Sequence, residues 1–494
     1  MITRLRVTGF KNLVDVDVRF GSFTCIAGEN GVGKSNLFDA ITFLSALAEH
    51  DLMSAASRVR DPEGRSSDLR TLFSRSGEHR EERMTFDVEM LVPPDARDDL
   101  NQTARASITQ LRYRLALGFE PGDLVSQPDR LVVEHESLTY ENIGDAKRFL
   151  PFLADDWSKS KAWRASAVTG RRTSPFISTE ERDNGTVIQR HQEGNQGRPQ
   201  LFLARDLPRT VLSTINAPEG PTAVVARREM QAWSMLHFEP SALRRPDGFQ
   251  DSARPMTSEG RHLPASLFRI AHRSPDGPDA VYQRVANRLS LLVHDVRAVR
   301  VERDETRELL TLVVRDHGGT EHAARALSDG TLRFLALTVL LEDPDALGVW
   351  CLEEPENGLY PARIPAMIGL LQDMATDTTE GVGVGNPLRQ VIVNTHSPSV
   401  VQEVHEADLI LARAGDFTTG SQHRVRAVQF GALEGTWRTT QADPPAPTPS
   451  KGSLLDYLVS ESALGGDGVV EPARSRVIDR ADVRQLLLDF GTAA

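Results

Sequence analysis

Cys25-Ile26-Ala27-Gly28-Glu29-Asn30-Gly31-Val32-Gly33-Lys34-Ser35-Asn36 is the stretch that decides how this 494-residue chain is read. From Gly28 to Ser35 it fits G-x-x-x-x-G-K-[ST]. In such a loop the glycines let backbone N–H groups converge on phosphate oxygens, the lysine reaches the outer phosphates and the hydroxyl can ligate Mg²⁺. The flanks agree. The apolar run Phe23–Ala27 predicts a buried strand before the loop, and residues 37–44 predict a helix after it, whose amino-terminal dipole faces the phosphates. Asn30, Gly31, Gly33, Lys34, Ser35 and Asn36 are therefore the candidate nucleotide-binding residues. A glycine-rich turn matching by chance is the alternative, and Lys34-Ser35 between two correct flanks argues against it.

The chain carries 57 lysines and arginines against 69 aspartates and glutamates, a formal charge of −12. Any nucleic-acid contact must then come from a local patch rather than a global positive field. The two cysteines, Cys25 and Cys351, each sit in an apolar run that reads as buried strand, which makes packing their role and excludes a disulfide framework. A reducing, cytoplasmic compartment is expected. The first residues lead straight into a strand pattern, and no run of about 18 apolar residues occurs, so neither export nor a membrane span is expected.

Residues 2–20 alternate in the strand manner, broken at Gly9-Phe10-Lys11-Asn12, and predict two antiparallel strands ahead of the loop. Residues 37–58 read as one long helix. Strand candidates at 84–92, 110–119 and 130–140 form an antiparallel meander. From about 145 to 265 the periodicity weakens, with Trp157, Trp163 and Trp233 among polar stretches, and a mainly helical insertion is expected. Residues 279–293 predict a helix with Val281, Val285, Leu289 and Leu292 on one face, followed by strands at 296–301 and 309–315. Residues 442–450 form a proline-rich, semi-rigid linker, and 454–459 and 482–490 each predict a short helix. The expected organisation is an amino-terminal part with the loop and a β lobe (1–144), an inserted subdomain (145–275), a carboxy-terminal part (276–435), and the linker with its tail (436–494).

Three further motifs follow the loop. Leu327-Ser328-Asp329-Gly330-Thr331 precedes an apolar helical run, and Ser328 and Gly330 at a helix amino terminus make an anion site; an ordinary N-cap is the plainer reading. Gly348 to Gly358 reads as an apolar strand ending in paired carboxylates. Glu353 is placed to hold a Mg²⁺ shell and Glu354 to polarise an attacking water, since phosphoryl transfer needs positioning and charge neutralisation above all. The alternative is a strand that ends in a solvated acidic loop. Gln390 to Pro398 is another apolar strand with His396 at its carboxyl end, where open α/β sheets bind ligands. His237 and His294 read as incidental.

With these four elements in this order, the chain resembles ABC-type ATPases of the RecF, SMC and OLD group, and in particular the stand-alone ATPases that accompany prokaryotic defence nucleases. The resemblance covers roughly residues 1–140 and 280–430. It implies an α/β fold, an ABC-type ATPase head with a P-loop RecA-like core, an antiparallel β lobe and the inserted mainly helical subdomain. It implies ATP and Mg²⁺ as cofactors, with Lys34 and Ser35 at the phosphate and metal positions, Glu353 at the Walker B acid position, Glu354 as catalytic base and His396 as the γ-phosphate switch histidine. Ser328 and Gly330 match a signature that acts on the nucleotide of another subunit. Lys34 and Ser328 lie 294 residues apart, and the implied assembly is a head-to-tail homodimer or higher oligomer.

Two departures stand out. Glu353 occupies a position that is usually Asp, and no glutamine matches the group's metal-coupling loop, the first in the chain being Gln102. Beyond ATP hydrolysis, the resemblance implies sensing or regulation in antiphage defence or DNA maintenance with a separate effector nuclease, because the 98 residues after His396 leave no room for a nuclease domain. A RecF-like clamp that binds duplex DNA directly, and a slow or non-hydrolysing ATP-dependent scaffold, are the alternatives. Ten arginines against seven acids between 205 and 273, with Arg227-Arg228 and Arg244-Arg245 adjacent, make the insertion the expected recognition surface for DNA or an effector.

Overall fold

The computed structural model describes residues 1–59, 68–76, 79–122, 128–154, 156–193, 198–418, 424–449 and 477. The two helices expected in the tail lie outside them. Strands β1 (Ile2–Phe10) and β2 (Leu13–Arg19) pair antiparallel, as their alternation predicts, and β3 (Phe23–Ala27) leads into the loop and helix α1 (Lys34–Leu47). The single long helix expected here is two. Asp51 accepts a hydrogen bond from the Ser54 N–H and caps α2 (Leu52–Ser57), so the chain turns between them.

Strands β4 (Arg83–Leu91), β5 (Gln110–Glu120) and β6 (Arg130–Tyr140) match the expected meander to within one or two residues. The segment 145–275 then holds more helix than strand, yet it is built into both main sheets. Strands β7 (Ile177–Arg182), β8 (Gly185–Arg190) and β9 (Gln200–Leu203) extend the antiparallel sheet to eight strands in the order β9-β8-β7-β6-β5-β4-β1-β2. Only Ile177, Val187 and Ile188 of these three strands are buried, which is why the sequence shows so little periodicity there.

After helix α3 (Pro221–Gln231), strand β10 (Ser234–Leu236) joins a second sheet. Helices α4 (Pro240–Leu243), α5 (Leu263–Arg273) and α6 (Pro278–Leu292) follow, then strands β11 (Val296–Asp304) and β12 (Leu309–Asp316). The chain continues through α7 (Asp329–Glu342), β13 (Gly348–Glu353), α8 (Ile364–Met374), β14 (Arg389–Thr395), α9 (Pro398–Glu403), β15 (Leu409–Thr418), β16 (Arg424–Ala432) and α10 (Trp437–Thr440). The second sheet runs β10-β13-β14-β3-β15-β16, parallel except for β16.

This sheet is covered on both faces, which explains its near-continuous apolar runs. Ile26, Val349, Cys351 and Ile392 enter a core shared with α1 and the antiparallel sheet, whereas Cys25, Ala27, Trp350, Leu352, Val391 and Val393 enter one shared with α5 to α8. Cys25 and Cys351 thus point to opposite sides, and burial pushes both thiols up. Phe10, Phe43 and Phe86, with ring centroids 5.5–5.8 Å apart, fasten α1 to the antiparallel sheet and so fix the helix that follows the loop. The proline-rich segment is docked rather than free: Arg19 donates to the Asp443 carbonyl, and the N–H groups of Ala446 and Ala432 donate to the carbonyls of Arg438 and Pro447. Among the described residues no helix is long and apolar enough to cross a membrane.

Candidate nucleotide site

The carboxyl ends of β10, β13, β14 and β3 lie side by side, and a cleft of about 520 Å³ opens over them. Asn30, Gly31, Gly33, Lys34, Ser35, Asn36, Glu353 and Glu354 all line it, so the six loop residues and both carboxylates singled out in the sequence come together. Gly31 and Gly33 adopt φ of 80° and 108°, a region L side chains avoid. A Cβ on Gly33 would also stand 2.0 Å from Nδ2 of Asn12.

Asn12, in the turn between β1 and β2, clamps the loop from behind. Its Nδ2 donates to the Val32 carbonyl (2.9 Å) and its Oδ1 accepts from Nδ2 of Asn36 (2.7 Å), while neighbouring Lys11 pairs with Asp39 of α1 (2.6 Å). Lys34 Nζ donates to the carbonyls of Gly28 (2.6 Å) and Glu29 (2.8 Å). Burial lowers its pKa, while Glu354 and Glu353 act in the opposite sense. An open backbone cradle with a lysine, beside a hydroxyl and carboxylates, is a donor set that fits a triphosphate and a hard divalent cation.

Glu353 ends β13, with Oε1 accepting from Nδ2 of Asn394 (3.3 Å). Glu354 then leaves the strand at φ 47°, a left-handed conformation that costs a non-glycine residue about 1 kcal/mol. Its N–H donates to the Asn394 carbonyl (2.9 Å), its Oε1 lies 2.7 Å from Nδ1 of His396, and its Oε2 accepts from Nδ2 of Asn357 (2.6 Å). Both carboxylate oxygens are held. Glu356 is buried beneath them, bonded to the Thr395 hydroxyl, and burial raises its pKa.

Ser328 and Gly330 are not among the residues lining this cleft. Ser328 caps α7, its Oγ accepting from the Thr331 N–H (3.2 Å). Gly330 is buried, and a Cβ there would lie 2.7 Å from Leu359 Cδ2 and 2.9 Å from the Gly358 carbonyl oxygen, so packing disfavours a side chain at this position. Four polar residues passed over in the sequence do reach the cleft: His237, Arg333, Asn357 and Asn394. His237 follows a three-residue strand, too short to flag from sequence; it lines the cleft, with its Nε2 3.0 Å from Glu239. His294 stays peripheral, against Arg363. The expected recognition arginines also change. Arg227 is buried, donating to the Ser213 carbonyl and Asp99, and Arg228 shares Asp99, so that pair is structural.

A family model described as "AAA domain, putative AbiEii toxin, Type IV TA system" matches residues 228–402, from α3 through β13 and β14. The DNA replication and repair protein RecF of Porphyromonas gingivalis is 41% identical over 51 residues, 10% of this chain and 14% of its own. RecF of Leifsonia xyli subsp. xyli is 27% identical over 124 residues, 25% of this chain and 31% of its own. The chain is thus similar to this AAA family model over residues 228–402 and to RecF over shorter stretches. The chain spans under a third of the length of these curated relatives. Among solved structures, this chain aligns with an SMC head bound to the C-winged helix domain of ScpA at TM-score 0.42 and 13% identity, covering 88% of this chain and 98% of that one. The SMC head domain from Thermotoga maritima aligns at TM-score 0.37 and 12% identity, covering 88% and 99%.

Proposed function

We propose that this ABC-type head binds ATP with Mg²⁺ in the cleft, hydrolyses it, and pairs head to tail with a second copy around the nucleotide. The observation that carries the reading is the double restraint on Glu354, whose two oxygens are taken by His396 and Asn357 beside Lys34 and Ser35. In this reading the loop N–H groups and Lys34 hold the phosphates, and Ser35 and Glu353 hold the cation. Mg²⁺ supplies charge neutralisation at the phosphate oxygens when bound. Glu354 accepts a proton from the attacking water, and His396 orients that carboxylate. Ser328 and the first turn of α7 face the nucleotide of the other copy.

The test is turnover and binding in two variants. Lys34→Ala is expected to abolish nucleotide binding; Glu354→Gln is expected to keep binding and lose turnover by about 10²-fold or more, the usual weight of a positioned base. Unchanged hydrolysis by Glu354→Gln would overturn the assignment. A scaffold that hydrolyses slowly or not at all draws support from one observation, the longer Glu353 at a position where the resemblance leads to Asp. A measured turnover in the parent chain decides between the two.

The resemblance to RecF and to a toxin–antitoxin ATPase family supports a sensing or regulatory role in antiphage defence or DNA maintenance, with a separate effector nuclease as the partner. Direct, salt-sensitive duplex binding by the purified chain would instead favour a DNA clamp.

A further inference from the structure

Asp329 is the first residue of α7, at the end that the two-copy reading, on which this inference rests, turns toward a triphosphate. An acid in the first turn suits a helix by itself, but it repels an approaching phosphate. Arg244, which follows α4, answers that charge. One guanidinium nitrogen lies 2.5 Å from Oδ1 of Asp329 and 2.9 Å from the Leu327 carbonyl, so it ties the backbone just before Ser328 to the side chain just after it. Both side chains remain reachable, 29% exposed for Arg244 and 54% for Asp329.

The pair is also connected to the cleft. His237 and Phe238 line the nucleotide cleft, and α4 begins two residues later and ends on the buried Leu243, immediately before Arg244. A segment of eight residues thus runs from the cleft of one copy to the α7 terminus that would meet the nucleotide of the other.

We propose that Arg244 is a positioning residue. By cancelling the charge of Asp329 it lets the α7 terminus accept the triphosphate held by a second copy of this chain, and its own cleft sets its place through residues 237–243.

The experiment uses the full chain carrying Glu354→Gln and measures self-association with ATP and Mg²⁺ by sedimentation velocity. Adding Arg244→Ala is expected to weaken ATP-dependent association by roughly tenfold, the scale of one partly screened charge near a phosphate. Arg244→Lys keeps most of the association. Arg244→Ala combined with Asp329→Asn returns it to within about twofold of the parent, as a charge-cancelling role requires in a double-mutant cycle. That rescue also excludes misfolding, because the arginine is still missing. Association unaffected by Arg244→Ala, or a double variant as weak as the single one, overturns the proposal. A Glu354→Gln parent that fails to associate with ATP defeats the two-copy reading itself, and this inference with it.

Discussion

Asn12 and Glu136 are single residues outside the motifs that hold, respectively, the phosphate-type loop and a buried strand. Asn12 spends its amide on the phosphate loop, bonding Val32 and Asn36. Asn12→Ala is expected to weaken ATP binding about tenfold with the fold intact, because two hydrogen bonds of about 1 kcal/mol each hold the loop in shape; equilibrium titration with a fluorescent ATP analogue measures it, and unchanged affinity would remove Asn12 from the site. Glu136 is buried in β6, accepting from the N–H groups of Val211 (2.7 Å) and Leu212 (2.8 Å) and from the Tyr113 hydroxyl (3.2 Å). Burial pushes its carboxyl from 4.5 up to about 7. A folded-state pKa above the unfolded one means that this residue's contribution is full below pH 4.5 and is lost as pH rises toward 7. The parent chain should therefore outlast Glu136→Gln by a wider margin at pH 5 than at pH 7. Thermal midpoints of both chains at the two pH values check this, and an equal margin at both would refute it.

At the scale of elements, α3 shows why a charge count misleads. Arg227 and Arg228 look like a surface patch in the sequence, yet Arg227 is 4% exposed and both guanidinium groups meet Asp99, with Arg227 also reaching the Ser213 carbonyl and Arg228 the Arg97 carbonyl. Arg227→Ala should destabilise the fold by about 2 kcal/mol through lost buried hydrogen bonds, read as a drop in unfolding midpoint. Should the midpoint hold while DNA binding falls, the arginine belongs to a binding face after all. Lys34, Glu354 and His396 were legible because each follows an apolar run at a short, fixed distance, and chemistry needs that residue type there. Asn12, His237, Arg333 and Asn357 were not. His237, Arg333 and Asn357 line the cleft and Asn12 braces its loop from behind, but asparagine in a turn or arginine on a helix carries no signal of its own. The break between α1 and α2 is capped by Asp51 and held from elsewhere in the chain, the Leu52 N–H donating to the Pro208 carbonyl and Gln231 Nε2 to the Ala48 carbonyl, none of which the apolar periodicity on either side reveals.

Across the whole molecule, the proposed pairing of two copies assigns the loop of one and the α7 terminus of the other to a shared site, and the two can be separated genetically. Mixing Lys34→Ala chains with Ser328→Arg chains leaves one intact composite site per mixed pair, and up to about half of parental turnover should return, by the logic of sites shared between symmetric copies. Mixed pairs that form without recovering activity would place both motifs in one chain's own site. The order of the parallel sheet bears on how such copies are made. Strand β3 lies between β14 and β15, which begin at Arg389 and Leu409, so both its neighbours come from the last quarter of the chain. A ribosome adding about 5–20 residues per second leaves Phe23–Ala27 without them for roughly 20–70 s. Pairing across such distances is slow, and until it happens an apolar strand stays open to aggregation. A nascent chain that stops before Arg389 has the entire phosphate motif but neither of the strands that flank β3, so the motif is expected to stay unformed until the last quarter of the chain is made.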